Sequence, residues 1–510
     1  MEAFLKAERH LLSSVAQLAY CNLFLPERVA LEKAVLGREF VASGPVWSAS
    51  VADPEATPPN VTAIYRKLNA CMEMLHSRLS AADVTDQDWT VYEEATHYLL
   101  YQRYHGKFVA AQGKWRFYRE FLADWNRLGR IPGKRFESTL QPAHVFACFR
   151  QIQRAFHHIY DNIIGNSMPA ARLRASVWQS IFTHDMRRYR HRMFQKMGEF
   201  PTLITGPSGT GKELIARAIA GSRYVRFDAE RMEFADPRAD SFLPINISAL
   251  SLTLIESELF GHRRGSFTGA IGDRKGWLEA CPESGSVFLD ELGELDLTIQ
   301  VKLLRVIETR RFSAVGDTAA REFHGKLIAA TNRDLPLEIR SGRFREDLYY
   351  RLCADLIQTP SLAEQIQDTP AVLHELLQYM TLRTVGEDTT HYLPEVEQWI
   401  NTNLSPDYAW PGNYRELEQC VRNIVIRRSY RPLAQPTASG EDEFFGRFRA
   451  GELTADELLA RYAAHVYRLT GSYEEAARRI GLDRRTVKAK VQQHLEAVAK
   501  NFSPTALRNC

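Results

Sequence analysis

A chain of 510 residues, at about 150 residues per domain, predicts roughly three domains, each long enough to bury a core of its own. Its 65 Lys and Arg against 62 Asp and Glu leave a net charge of +3, which excludes a uniformly basic coat or an acidic tail, so any nucleic-acid contact must be local. Hydrophobic residues at 45% and charged residues at 25% exclude long disorder, and there is no apolar run of about 18 residues to cross a membrane. The start, Met1-Glu2-Ala3-Phe4-Leu5-Lys6-Ala7-Glu8, is acidic where a signal peptide is basic, so a cytoplasmic protein without membrane contact is expected. Seven cysteines (21, 71, 148, 281, 353, 420 and 510), with no C-x-x-C pair, read as reduced thiols without structural zinc.

Residues 1–175 carry helical periodicity, broken at Ser43-Gly44-Pro45, between Asp53 and Pro59, and from Gly129 to Gly133, which predicts a helix-rich first domain. Tyr92, Tyr98, Tyr101, Tyr104, Phe108, Trp115, Phe117, Tyr118, Phe121 and Trp125 form a dense aromatic run. Core packing of amphipathic helices is the favoured reading and a ligand pocket the other. Glu94 and His97 have the i, i+3 spacing of di-iron bundles, but a second copy is missing, which argues against a metal. The basic run Arg187-Arg188-Tyr189-Arg190-His191-Arg192 reads as a solvated helix face.

From Phe200 short β-branched runs alternate with helices: Thr202-Leu203-Ile204-Thr205, Ser286-Val287-Phe288-Leu289 and Lys326-Leu327-Ile328-Ala329-Ala330. Buried parallel strands of an α/β domain are expected. The first run leads into Gly206-Pro207-Ser208-Gly209-Thr210-Gly211-Lys212-Glu213 and then a helical segment, the context of a phosphate-binding loop. Its glycines let backbone amides face phosphate oxygens, and Lys212 supplies a point charge. Glu213 stands where the general motif has Ser or Thr. The second run ends in Asp290-Glu291, which can place one carboxylate on Mg²⁺ and the other near an attacking water. The third ends in Thr331-Asn332, polar groups able to orient water or sense a γ-phosphate. Arg345 and Arg351, six residues apart, can converge on one anion or pair on the surface with Glu346 and Asp347. Arg415, just after the turn Trp410-Pro411-Gly412-Asn413, is a cation at a helix start, a place that favours an outside anion such as a nucleotide.

These residues resemble the central AAA+ ATPase domain of bacterial sigma-54-dependent transcription activators. The most specific stretch is Glu256 to Ala270, where Gly265-Ser266-Phe267-Thr268-Gly269-Ala270 stands for the family's Gly-Ala-Phe-Thr-Gly-Ala loop, which contacts sigma-54. The resemblance continues through Leu289 to Glu294, Gln300 to Arg305, Val315-Gly316, Ala329 to Asn332, Gly342 to Leu352 and Trp410 to Leu417, and covers residues 176–430. It implies that Lys212 binds the phosphates of ATP, Asp290 holds Mg²⁺, Glu291 polarises the water, and Asn246 holds the catalytic Glu and links it to the loop. Arg345 and Arg351 would be fingers entering the neighbouring subunit's site, and Arg415 a sensor of nucleotide. Glu213 matches the family's own phosphate loop. Phe267 and Thr268, bracketed by Gly265 and Gly269, are expected as an exposed aromatic and hydroxyl at a mobile tip.

Three departures stand out: Ser266 for Ala, Pro207 for a common Glu, and Ala363-Glu364-Gln365 for Arg-Glu-Arg. The stretch Gly221 to Phe242 is longer than the family's by roughly a dozen residues and reads as a cheap loop insertion.

Past a linker (431–450), residues 451–500 read as helix, Gly481 turn, then a helix capped by Asp483. Arg484, Arg485, Thr486, Lys488 and Lys490 form a cationic patch without an acid, similar to the Fis-type helix-turn-helix end of this family. The expected order is therefore a helix-rich regulatory domain of unknown signal (1–175), an α/β ATPase core (176–360), a helical lid (361–430), the linker, and an all-α DNA-binding domain. The resemblance implies an ATP- and Mg²⁺-dependent activator that binds double-stranded DNA, assembles as a homo-oligomeric, hexameric ring and remodels the sigma-54 RNA polymerase holoenzyme. The alternative is a remodelling ATPase with a different protein client.

Overall fold

The computed structural model describes residues 4–42, 58–79, 84–111, 113, 115–136, 141–235, 241–432, 448 and 451–501, arranged as two compact units, residues 1–430 and 431–510. Most of the expected linker lies outside the described residues.

The first unit opens with α1 (Lys6–Tyr20), α2 (Pro26–Leu36), α3 (Pro59–Arg78), α4 (Asp86–Ala110) and α5 (Tyr118–Leu128). The hairpin β1 (Arg130–Ile131) and β2 (Lys134–Arg135) follows, then α6 (Pro142–Asn162), α7 (Met168–Phe182) and α8 (Met186–His191). The aromatic run is largely core: Tyr92, Tyr104, Phe108, Phe121 and Trp125 are buried with Phe146 and Phe149 of α6. Glu94 is held by Arg187, Oε1 to Nε at 2.7 Å, and His97 packs against Trp125 and Phe136. The basic run is the expected solvated face at Arg187, Arg188, His191 and Arg192, which are exposed, but not at the two residues between them. Tyr189 and Arg190 are buried because α8 is wedged against α1 and α4, where Arg190 donates to the Tyr20 hydroxyl.

Next come β3 (Thr202–Thr205), α9 (Lys212–Gly221), β4 (Phe227–Asp228), β5 (Glu233–Phe234), β6 (Phe242–Asn246), α10 (Leu252–Phe260), β7 (Gly261–His262), β8 (Arg274–Lys275) and α11 (Trp277–Ala280). They are followed by β9 (Ser286–Asp290), α12 (Leu297–Thr309), β10 (Arg311–Phe312), β11 (Arg321–Glu322), β12 (Lys326–Thr331), α13 (Leu335–Arg340), α14 (Glu346–Leu352) and β13 (Leu356–Gln358). Five strands form one sheet in the order β13-β3-β12-β9-β6, every pairing parallel. Their residues are apolar on both faces because both are covered. α10, α12 and α14 close one face through Leu259, Ile299, Leu303 and Leu348, and α6, α7 and α9 close the other through Ala155, Ile159, Val177 and Ile219. The boundary expected at residue 175 thus falls inside α7 and inside a shared core.

The Gly221–Phe242 stretch is also more than a loop. It builds the antiparallel hairpin β4–β5, and Phe227, 4% exposed, sits among the first helices with ring centroids 4.7 Å from Phe146 and 4.8 Å from Tyr118. An inserted segment carrying two phenylalanines gains apolar burial by docking, which a solvated loop forgoes.

α15 (Leu362–Asp368), α16 (Ala371–Val385), α17 (Thr389–Asn403) and α18 (Asn413–Arg427) form a helical lid around Leu376, Val396, Leu417 and Val421. In the second unit α19 (Ala455–Thr470), α20 (Tyr473–Ile480) and α21 (Arg484–Asn501) pack on Ala463, Ala476, Val487 and Val491. Gly481, at φ 76°, ends α20 in the left-handed conformation that a helix-to-helix turn needs. Asp483 Oδ1 accepts the Arg485 and Thr486 amides at 2.9 and 3.0 Å and so caps the next helix. No described helix is long and apolar enough to cross a membrane.

Candidate functional site

The carboxyl ends of the parallel strands converge on one place, where open α/β sheets bind ligands. In register, Thr205 lies beside Thr331 and Asn246 beside Asp290, so the ends of β3, β12, β9 and β6 make one row. Between β3 and α9 the loop turns on Gly206, Gly209 and Gly211, with φ of 141°, 77° and 86°. Only glycine suits such values without strain. A Cβ on Gly209 would stand 2.2 Å from the Gly412 carbonyl oxygen, so this glycine is required by the close approach of the lid as well.

A cavity of about 560 Å³ opens here, lined by Ser208, Gly209, Thr210, Gly211, Lys212 and Glu213 together with Asp290, Glu291 and Arg415. Lys212 is 7% exposed and donates to the Gly206 and Pro207 carbonyls at 3.1 and 3.0 Å. Burial lowers its pKa, and Glu291 and Asp290 oppose that shift. Burial raises the pKa of Asp290, opposed by the Glu291 amide on its carboxylate and by Lys212. Glu291 itself stands in the left-handed region at φ 57° on the turn that follows β9. Arg415 lines the cavity without an ion pair among the described residues, and its charge favours the ionised form of Asp290.

Apolar side chains that were not anticipated also line the cavity. Ile163, Ile164 and Leu173, from the segment expected to belong to the first domain, face Tyr379 and Met380 of the lid. Arg174 fixes this segment by donating to the Ile163 and Gly165 carbonyls at 2.8 and 2.7 Å. Asn413 was read only as a turn residue, yet it ties three parts together. Its Nδ2 donates to the Ser208 carbonyl at 2.9 Å, and its Oδ1 accepts the Leu362 amide at 2.8 Å. Gln365, which stands for the second Arg of the family's Arg-Glu-Arg, donates to the Tyr414 hydroxyl at 2.6 Å and so braces the same contact. An asparagine directly after Pro-Gly, a residue type that tolerates the left-handed region it adopts here at φ 52°, was the available signal.

Such a site fits a nucleoside triphosphate and a divalent cation. Amides, a lysine and an arginine suit the phosphates, two adjacent carboxylates can hold a cation and orient a water, and the apolar side chains suit a base.

Not every expected residue lines this cavity. Asn246, with its Oδ1 taken by the Ser248 hydroxyl at 2.7 Å, and Thr331 and Asn332 occupy the neighbouring strand ends. Arg345 pairs with Asp347 at 2.6 Å and Arg351 with Glu308 at 3.0 Å, both on the surface and away from this chain's own cavity.

Gly265–Ala270 is the tip of the β7–β8 hairpin, closed by the Gly265 amide on the Ala270 carbonyl at 2.9 Å, with φ of 78° at Gly265 and 101° at Gly269. Its base is clamped by Arg263, which pairs with Asp273 and Asp317 at 2.6 and 3.0 Å. Thr268 is exposed as expected, whereas Phe267 is half-buried. Its ring rests edge-on against His262, centroids 4.9 Å apart, because a lone ring on a hairpin tip gains by covering itself. Ser266 packs against Gly316, and its hydroxyl is buried without a partner.

Comparison with known proteins agrees with this geometry: residues 181–358 match the Sigma-54 interaction domain family. This stretch is a sigma-54 interaction domain. It is 43% identical over 224 residues to the regulatory protein LuxO of Vibrio parahaemolyticus, covering 44% of this chain and 45% of that protein. Likewise, 306 residues are 37% identical to the transcriptional regulatory protein ZraR of Escherichia coli, covering 58% of this chain and 64% of that protein. The chain thus spans about half the length of the curated relatives it matches first. A crystal structure of NtrX from Brucella abortus aligns at 22% identity over 74% of this chain and 79% of that one, with a TM-score of 0.39. The sigma-54 interaction domain contains the phosphate loop, both carboxylates, the Gly265–Ala270 tip, Arg345 and Arg351. Arg415, Asn413 and the apolar wall at Ile163–Ile164 lie outside it in sequence.

In the second unit Arg484, Arg485 and Lys488 are exposed on α21, and Thr486 is half-buried at its capped start. Lys490 stands apart from them, because it pairs with Asp456 of α19.

Proposed function

We propose that this protein is an ATP-driven transcriptional activator that binds double-stranded DNA and remodels sigma-54 RNA polymerase from a closed to an open promoter complex. One observation carries the reading: Lys212, Asp290, Glu291 and Arg415 meet in one cavity on a chain whose sigma-54 interaction domain presents the Gly265–Ala270 hairpin. A divalent cation on Asp290 would neutralise charge on the phosphate oxygens. Lys212, close to two loop carbonyls, is placed to exchange them for β- and γ-phosphate oxygens. Glu291 takes a proton from the water whose oxygen bonds to the γ-phosphorus while the bond to the leaving ADP oxygen breaks. Asn246, adjacent to Asp290, orients that carboxylate pair, and Thr331 and Asn332 report from the next strand end.

Arg345 and Arg351, with side chains 41% and 60% exposed, act on the site of a neighbouring copy in a homo-oligomeric, hexameric ring. Arginine forks suit the spread charge of a transferring phosphoryl group. Phe267 and Thr268 engage sigma-54 once the ring leaves His262. Arg484, Arg485, Thr486 and Lys488 meet DNA, with Lys490 supporting the hairpin, and the α1–α6 helices regulate the ring from the cytoplasm.

The test is open-complex formation on promoter DNA with sigma-54 polymerase, ATP and the purified protein. Opening that requires ATP, and is lost in both Lys212→Ala and Thr268→Ala, is the expected result. ATP turnover by the wild type with no sigma-54 capture would instead assign the loop to a different client.

A further inference from the structure

A second cavity, of about 520 Å³, lies where α1, α4 and α6 meet α7 and α8, and no phosphate-loop residue lines it. Its volume falls within the roughly 300–1,000 Å³ of small-molecule sites. Leu23, Tyr101, Phe149, Phe156, Trp178 and Met186 make its wall apolar and largely aromatic. Against that wall stands Arg190, 5% exposed. One of its nitrogens donates to the Tyr20 hydroxyl, its charge lies 5.3 Å from the Tyr20 ring centre, and its Nε is buried without a partner. No carboxylate pairs with it among the described residues. Glu94, whose charge it feels, is held in a fork by Arg187, with contacts of 2.7 and 3.0 Å. The other guanidinium on the wall, Arg28, is neutralised by Glu32 at 2.8 Å.

A buried cation without a counter-ion is costly unless something supplies the anion. His97, on the same wall, adds an imidazole with both ring nitrogens unpartnered, and burial, helped by Arg190 and His191, keeps it neutral. Apolar aromatic walls and a guanidinium with no paired carboxylate select a compact aromatic or alicyclic body that carries a carboxylate.

We propose that this cavity is a binding site for an apolar carboxylic acid, held by Arg190 and packed between the first helices and the α7–α8 collar of the nucleotide-binding core. The reading does not depend on the ATPase or on sigma-54.

2-Naphthoate serves as the probe, with 2-naphthamide as its uncharged equal in shape, titrated calorimetrically into the full-length protein. Saturable binding of one naphthoate per chain, at least about tenfold tighter than the amide, is expected from a charge-assisted contact. Arg190→Gln should erase the difference between acid and amide. Because Arg190 also braces the seam with Tyr20, a second variant guards against misfolding. Gly106 lies on the cavity wall with open space where a Cβ would stand, so Gly106→Trp adds a bulky ring beside the site without its Cβ displacing a neighbour. That variant should keep the wild-type melting temperature and lose at least tenfold in naphthoate affinity. Absence of saturable naphthoate binding, equal affinity for acid and amide, or unchanged affinity in Gly106→Trp would each overturn the proposal.

Discussion

Two cavities of the first unit have nearly the same volume, about 560 and 520 Å³, and opposite construction. The nucleotide cavity is framed on one side by eight consecutive residues whose backbone does the work, so its glycines, lysine and carboxylates are short strings in the chain. The aromatic cavity is framed by side chains drawn from Leu18 to Arg190, none of which needs a fixed neighbour in sequence. Recognition by backbone amides demands contiguity, whereas recognition by packing demands only a common core. A chain can therefore announce the first and conceal the second.

The sharpest way to break the contrast is at the hairpin that joins the two regions. Phe227→Ala removes a buried ring shared by the inserted hairpin and the first helices, and should cost about 3–5 kcal/mol in chemical denaturation. One transition, with both regions lost together, is expected; two separated transitions would show that the first helices fold without the sheet.

Lys326, 2% exposed beneath the phosphate-loop strand, donates to the Phe200 carbonyl at 2.9 Å, and burial pushes its pKa down to about 8 while Asp355 opposes the shift. The unfolded chain keeps that proton to about 10.4, so between pH 8 and 10.4 it binds more protons and the Lys326 contribution to stability rises with pH. Comparing wild type with Lys326→Met cancels the buried thiols and tyrosines that titrate in the same range. The stability difference should move in favour of the wild type by on the order of 3 kcal/mol from pH 7 to 10.5.

Asn413→Ala sharpens the comparison by touching the nucleotide cavity alone. Loss of its bonds to Ser208 and Leu362 should weaken ATP binding about tenfold and leave the packing of Tyr92, Phe121 and Phe146, read by near-ultraviolet circular dichroism, unchanged. The smallest effect is expected at neither cavity. Ser266→Ala discards a buried hydroxyl with no partner and should raise stability by about 1 kcal/mol in thermal unfolding.

Legibility followed the same division. The β-branched runs ending at Thr205, Asp290 and Thr331 are strands because both faces of the sheet are covered, and the residues just past their ends could be named from spacing alone. Arg190 and Phe227 could not, because their roles are set by what packs over them. A basic run reads as solvated until Tyr20 is found against it, and an insertion reads as loop until Phe146 is found beneath Phe227. Phe267 shows the same limit at a smaller scale, since nothing near it in sequence says that His262 offers a face.

Helix α6 is a single rod of 21 residues, about 32 Å long at 1.5 Å per residue. Val145, Phe146 and Phe149 anchor one end in the aromatic core, and Asp161 and Asn162 stand on the wall of the nucleotide cavity at the other. A stiff strut fixed at both ends carries a push along its axis with little loss. The aromatic core around its first turns and the cavity wall at its last are thus two ends of one rigid element.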